Sequence, residues 1–188
     1  MRRLVVFNHV SLDGYFVDRR GDMSWAKTNQ GDAEWNAFVA GNASASGVLL
    51  FGRITYEMMA GFWPTPAAIA SMPAVAAGMN RMPKVVFSRT LTAVSWSNTT
   101  LVKGDLLPAT RRMKEESGPD MAILGSGRIV AQLAQAGLID EYQVVVNPLV
   151  LGAGRTMFEG CDRTLDLMLT KTRAFGNGKV LVCYAPRP

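Results

Sequence analysis

Apolar residues in this chain gather in short, nearly unbroken runs. Most runs end in a glycine or a polar turn that opens a segment of helical spacing. Residues 3–10, 47–51 and 121–124 are runs of this kind, and continuous apolarity marks strands covered on both faces of a parallel sheet. Residues 84–90 repeat the pattern and close on Ser88-Arg89, while residues 138–148 read as a further central strand. Between the runs lie helical segments. Over residues 31–44, Trp35, Phe38 and Val39 share one face at three-and-four spacing. Other helices are predicted from Gly52, after Pro66, after Pro73, over residues 106–116 behind Asp105, and from the Gly-Ser-Gly at 125–127. Residues 94–96 and 99–102 are short strand candidates. Near the C-terminus, apolar stretches at 165–172 and 179–184 flank Gly176-Asn177-Gly178, a strong hairpin signal.

This order of elements predicts an α/β protein of one domain over residues 1–188. Parallel βα units come first, and an antiparallel hairpin closes the sheet. The segment 11–25 lacks periodicity and is long enough to be a lid, carrying Leu12, Tyr15, Phe16 and Trp25.

Composition narrows the class. With 188 residues, 48% hydrophobic and 19% charged, the chain is globular and long enough for a sizeable core. The net charge of +5 is spread over separate arginine pairs at 2–3, 19–20 and 111–112. No basic helix or aromatic stacking platform accompanies them, which argues against a nucleic-acid partner and suits an anionic small molecule. The first apolar run is too short for a signal-peptide core, and no run reaches membrane-spanning length. A cytoplasmic protein with no membrane partner is therefore expected. Two cysteines and one histidine are too few for a zinc site, so no metal is expected. Cys183 reads as a buried thiol. His9, at the end of the first strand, has no nucleophile nearby to serve, so a structural histidine is expected over a catalytic acid.

Three predicted strands end alike, in Gly52-Arg53-Ile54-Thr55, in Ser88-Arg89 and in Gly125-Ser126-Gly127-Arg128. The first amides of a helix lack internal partners and lie at the positive end of its dipole, and glycine lets a ligand approach the backbone. Each junction can thus receive a phosphate, or can be a plain turn. Gly125-x-Gly127-x-x-Val130 lacks the third glycine of the dinucleotide fingerprint. Together the junctions favour one elongated anion, with the 125–128 turn on the pyrophosphate of a nicotinamide cofactor. Asp32 and Glu34 fall in the first turn of a helix, a favourable place for negative charge and the preferred role of Asp32. Glu34 precedes Phe38 by four residues, so it is expected to aim a carboxylate along the apolar face, at a cost unless it meets a ligand or partner. Phe16, Trp25 and Phe38 are candidate walls for a flat heterocycle, or core residues as in any fold.

Several motifs share one resemblance: Ser11-Leu12-Asp13-Gly14-Tyr15, Gly52-Arg53-x-Thr55-Tyr56-Glu57, Ser88-Arg89, Leu124-Gly125-Ser126-Gly127, Leu138-Ile139-Asp140-Glu141 and Pro148-x-x-Leu151-Gly152-x-Gly154. In order, and over nearly the whole chain, the sequence resembles the dihydrofolate reductase superfamily. Within it the chain looks most like the reductase domain of the bifunctional riboflavin-biosynthesis deaminase-reductase and its stand-alone relatives. The resemblance implies a dihydrofolate reductase-like three-layer αβα sandwich with a mostly parallel sheet. It implies NADPH as hydride donor to a small heterocyclic substrate, a ribosylamino-pyrimidine first and dihydrofolate or a pteridine second. A member of the fold that binds a nucleotide without turnover is the reading from a different class. Gly52, Arg53 and Thr55 would meet the pyrophosphate, Ser88 and Arg89 the 2′-phosphate ribose, and Gly125, Ser126, Gly127 and Arg128 the diphosphate. Ser11, Leu12, Asp13 and Gly14 would border the nicotinamide. The resemblance also implies a cis peptide at Gly125–Ser126 and a carboxylate that aids protonation, with Glu34 nearest the family position and Asp32 and Asp13 as rivals. Finally, it implies a homodimer, and the edge formed by the closing hairpin could pair across a two-fold.

Overall fold

A computed structural model of the chain describes residues 1–27, 31–45 and 47–187. The strands are β1 (Leu4–Ser11), β2 (Tyr15–Asp18), β3 (Val48–Gly52), β4 (Lys84–Phe87), β5 (Thr99–Val102), β6 (Met121–Leu124), β7 (Glu141–Asn147), β8 (Gly154–Thr156), β9 (Leu167–Ala174) and β10 (Val180–Pro186). The helices are α1 (Ala33–Ser44), α2 (Arg53–Ala60), α3 (Pro66–Ser71), α4 (Pro73–Arg81), α5 (Leu106–Glu115) and α6 (Gly127–Gln135). Eight strands form one sheet in the order β5-β4-β3-β6-β1-β7-β10-β9. The first six run parallel, then β10 joins β7 antiparallel and β9 joins β10 antiparallel.

The apolar runs become central strands because both faces of the sheet are covered. Leu4 and Val6 of β1 pack with Ile129 and Leu133 of α6 and with Leu106 and Met113 of α5. On the other face Phe7 meets Trp35 and Phe38 of α1, and Leu49 and Phe51 of β3 meet Val75 and Met79 of α4. Burying each such side chain contributes about 1.5–3 kcal/mol. The crossing of α1 and α4 depends on Gly78, where a Cβ would lie 2.0 Å from the Ala43 carbonyl oxygen. Asp32 caps α1 by accepting the Trp35 amide at 2.7 Å, and prolines open α3 and α4.

The Leu138-Ile139-Asp140-Glu141 motif works at the edge of the sheet where β1 begins. Asp140 accepts the Leu4 amide at 2.6 Å and pairs with the buried Lys114, and Glu141 pairs with Arg3 at 2.7 Å. It registers β1 against β7 and leaves the opposite edge free for chemistry.

Two expectations differ from the structure, and a third is shifted by two residues. Residues 94–96 form no strand: the amides of Ser95 and Trp96 donate to the Tyr56 hydroxyl at 2.9 and 3.1 Å, which leaves them nothing to give a neighbouring strand. The candidate lid is partly regular, since β2 pairs antiparallel with β8 across Tyr15–Thr156 and Asp18–Gly154. The last hairpin forms as predicted around Gly176-Asn177-Gly178, with β9 starting two residues later than its apolar pattern.

Candidate functional site

Because β1, β3, β4 and β6 are parallel, their C-terminal ends share one edge of the sheet, and α2 and α6 begin there. A groove of about 730 Å³ runs along this edge. That falls within the roughly 300–1,000 Å³ of small-molecule sites. Gly52, Arg53 and Thr55 border it from the start of α2, Ser88 and Arg89 from the end of β4, and Ser126, Gly127 and Arg128 from the start of α6. The three junctions singled out in the sequence therefore meet in one depression.

Hydroxyl groups tie the two helix starts together. The Ser126 Oγ accepts the Gly52 amide at 2.7 Å and pairs with the Thr55 Oγ1 at 3.0 Å, while the Ser126 amide donates to the same Thr55 oxygen at 3.0 Å. Asn8 supports this knot from β1. Its Oδ1 accepts the Gly125 amide at 2.6 Å, and its Nδ2 lies 3.4 Å from the Gly125 oxygen and 3.1 Å from the Met157 sulfur. Asn8 is only 2% exposed, and a lone amide inside an apolar run was its available signal.

The Gly125–Ser126 peptide corrects the resemblance. No cis bond occurs among the described residues; Gly125 (φ 66) and Ser126 (φ 58) both take the left-handed conformation, and that pair of torsions turns the chain into α6. Glycine is required at the first position, where a Cβ would lie 2.7 Å from the Thr55 Cγ2.

Four arginines, Arg53, Arg89, Arg128 and Arg155, border the groove with two carboxylates, Asp105 and Glu159. Phe87, Leu106 and Leu107 supply apolar wall around Arg89, and Phe16 and Val17 close the groove beside Gly127. Arg155, Asp105 and Glu159 carry no motif in the sequence. They reach the groove only because β8 pairs with β2 and α5 packs against α6.

The other candidates lie outside the walls of the groove. Ser11 is buried and accepts the Tyr15 amide at 2.9 Å, and the Gly14 amide donates to the Ser11 carbonyl at 2.9 Å. Asp13 accepts the amides of Leu151 and Gly152 at 3.1 and 2.8 Å, and hydrogen bonding, led by the Ser11 hydroxyl, holds its carboxyl below the usual range. The Ser11–Gly14 and Leu151-Gly152 motifs are thus two halves of one fastening. Asp32 serves as the helix cap. Glu34 pairs with Arg173 of β9 at 2.6 Å, so its carboxylate leaves the apolar face along which it was expected to point. Phe38 packs with Phe7, Trp35 and Phe175 at centroid distances of 5.3–6.2 Å, and the Trp25 indole donates to the Asp22 carbonyl.

A second polar group lies on the α1 side of β1. Lys179, fully buried, pairs with Asn147 and donates to the Ala26 carbonyl at 3.1 Å, with Trp35 beneath it. His9 lies 3.3 Å from Asn147 and is pushed down to about 4, chiefly by burial and then by the charge of Lys179. Burial also lowers Lys179 itself. Among the described residues no cluster could hold a metal ion, and no helix is long and apolar enough to cross a membrane.

A family model described as the RibD C-terminal domain matches residues 2–181. The chain belongs to the RibD C-terminal domain family. Among solved structures, it is similar to a putative riboflavin biosynthesis protein from Shewanella sp. PV-4, with a TM-score of 0.74 and 24% identity over 99% of each chain. It is also similar to the Thermotoga maritima diaminohydroxyphosphoribosylaminopyrimidine deaminase/5-amino-6-(5-phosphoribosylamino)uracil reductase. There the TM-score is 0.69 and the identity 13%, over 99% of this chain and 57% of that one. Dihydrofolate reductase from Enterococcus faecalis, complexed with NADP(H), matches with a TM-score of 0.66 and 12% identity over 99% of this chain and 97% of that one. At such identities the likeness is one of fold: this RibD C-terminal domain has the dihydrofolate reductase-like architecture, a mostly parallel sheet with antiparallel C-terminal strands.

Proposed function

We propose that the groove binds NADPH and that the chain is an NADPH-dependent reductase of a small heterocyclic substrate, most like a ribosylamino-pyrimidine. The observation that carries this reading is the meeting of the α2 and α6 N-termini with Arg53, Arg89 and Arg128 in one groove. Helix starts and arginines are the groups that hold phosphates, and here two helix starts and three arginines border one groove, enough for the several phosphates of a dinucleotide. The pocket suits the cofactor chemically. Cations and two helix starts lie where phosphates would bind, and Phe87, Leu106 and Leu107 give apolar surface for a base.

NADPH supplies a hydride, the step for which the protein provides no nucleophile of its own. The chain's task is to bind, orient and exclude water. Arg53 and Arg128 would hold the diphosphate, Arg89 the 2′-phosphate, and Phe16 and Val17 would shield the reacting end. The family match and the Thermotoga deaminase/5-amino-6-(5-phosphoribosylamino)uracil reductase support a pyrimidine substrate, and the Enterococcus relative, complexed with NADP(H), supports the cofactor.

Titration of the protein with NADPH, followed by loss of nicotinamide absorbance on adding pyrimidine or pterin substrates, tests both halves of the reading. Binding with turnover is expected, and Arg89→Ala should lower affinity for NADPH by about tenfold or more. Binding without turnover of any such substrate leaves a nucleotide-binding protein and removes the reductase. A homodimer paired along β9, an edge strand bearing exposed Met168 and Leu169, is the expected oligomer, and the mass of the protein in solution checks it.

A further inference from the structure

We propose that Asp105 sets the dinucleotide preference of the groove. Its carboxylate competes with a 2′-phosphate for Arg89 and offers an acceptor to an unphosphorylated ribose, so the chain accepts NADH as well as NADPH. This rests on the reading that the groove binds a nicotinamide dinucleotide.

Asp105 stands at the N-cap of α5, where an aspartate ordinarily accepts an amide two or three residues on. Asp32 does so on α1. Asp105 does not: α5 has no side-chain cap bond, and the carboxylate turns to the Arg89 Nη2 at 2.5 Å. Both residues border the groove, next to Leu106 and Phe87. The pair is open to solvent, with side chains 78% and 71% exposed, so it holds little of the fold together. Its effect falls on whatever ligand approaches Arg89. A phosphate monoester carries about −1.5 to −2 charge and must either displace the carboxylate or sit beside it. Either weakens binding of NADPH. A ribose 2′-hydroxyl meets the opposite situation, since an acidic residue accepts its proton in NAD-binding folds.

One unit charge about 5 Å from a phosphate in a high dielectric changes affinity by about tenfold, less at high salt. The test is a fluorescence titration of the full chain with NADPH and with NADH, using the wild-type protein, Asp105→Asn and Arg89→Ala. The wild-type protein is expected to bind both within about tenfold of each other. Asp105→Asn should tighten NADPH by about five- to tenfold and weaken NADH, whereas Arg89→Ala should weaken NADPH alone. If Asp105→Asn leaves NADPH affinity unchanged, or lowers it as Arg89→Ala does, the carboxylate merely holds the guanidinium in place. The inference then falls while the NADPH reading stands. If the wild-type protein binds neither dinucleotide, the reading of the groove falls and this inference with it.

Discussion

Gly125→Ala probes the knot on which the groove depends. The residue adopts φ 66, where an alanine is strained by roughly 1–2 kcal/mol. Its new Cβ would lie 2.7 Å from the Thr55 Cγ2 and 3.0 Å from the Thr55 Oγ1. Thr55 cannot swing aside freely, because that oxygen is bonded to the amide and hydroxyl of Ser126. Overpacking of this kind costs about 1–3 kcal/mol. The two terms together predict a loss of about 2–5 kcal/mol, or a fall in Tm of roughly 5–15 °C for a chain this size. Thermal unfolding followed by circular dichroism measures it. Thr55→Ser removes the methyl and keeps the hydroxyl, so the double variant should recover about 1 kcal/mol or more of the steric part and none of the torsional part. NADPH affinity should fall with the single variant and partly return with the double. Gly125→Ala within about 0.5 kcal/mol of wild type, or a cycle without coupling, would refute this account of the junction.

Other expectations follow from single contacts. Asn8→Leu leaves the Gly125 amide buried without its acceptor and should cost about 1–3 kcal/mol in urea unfolding with an unchanged slope. His9 takes up its proton near 6.5 in the unfolded chain and near 4 in the folded one, so between those values the unfolded state binds more protons. Stability should be full above that window and fall by up to about 3 kcal/mol as pH drops from 7 to 4, and His9→Gln should flatten the slope. Glu34→Gln breaks a half-exposed ion pair with Arg173 and should change stability by less than about 1 kcal/mol. If reduction is observed, this variant should keep turnover within about threefold; a loss of about a hundredfold would return Glu34 to proton transfer.

Much of the fold was legible because its signals are local. Continuous apolar runs specified β1, β3, β6 and β7; prolines placed the starts of α3 and α4; Gly-Asn-Gly placed the last hairpin. The same locality marked Gly52-Arg53, Ser88-Arg89 and Gly125-Ser126-Gly127-Arg128 as strand ends able to meet an anion. Other features depend on partners far away in the chain. Glu34 is 139 residues from Arg173, and Asn8 is 117 from Gly125. Nothing in the neighbourhood of either residue announces its partner. Asp105 read as a helix cap, and only the fold, which brings the start of α5 to the end of β4, turned its carboxylate to Arg89.

By itself, then, the sequence determined most of the central strands and the helices, and that three strand ends carry groups suited to phosphate, because periodicity and turn chemistry act over a few residues. The tertiary structure decided that these ends share one groove, that Gly125–Ser126 turns through left-handed torsions, and that Asp13 and Glu34 each have a partner far along the chain. Sheet order and long-range hydrogen bonds settle such matters, since they bring together side chains whose separation along the chain says nothing of their distance in space.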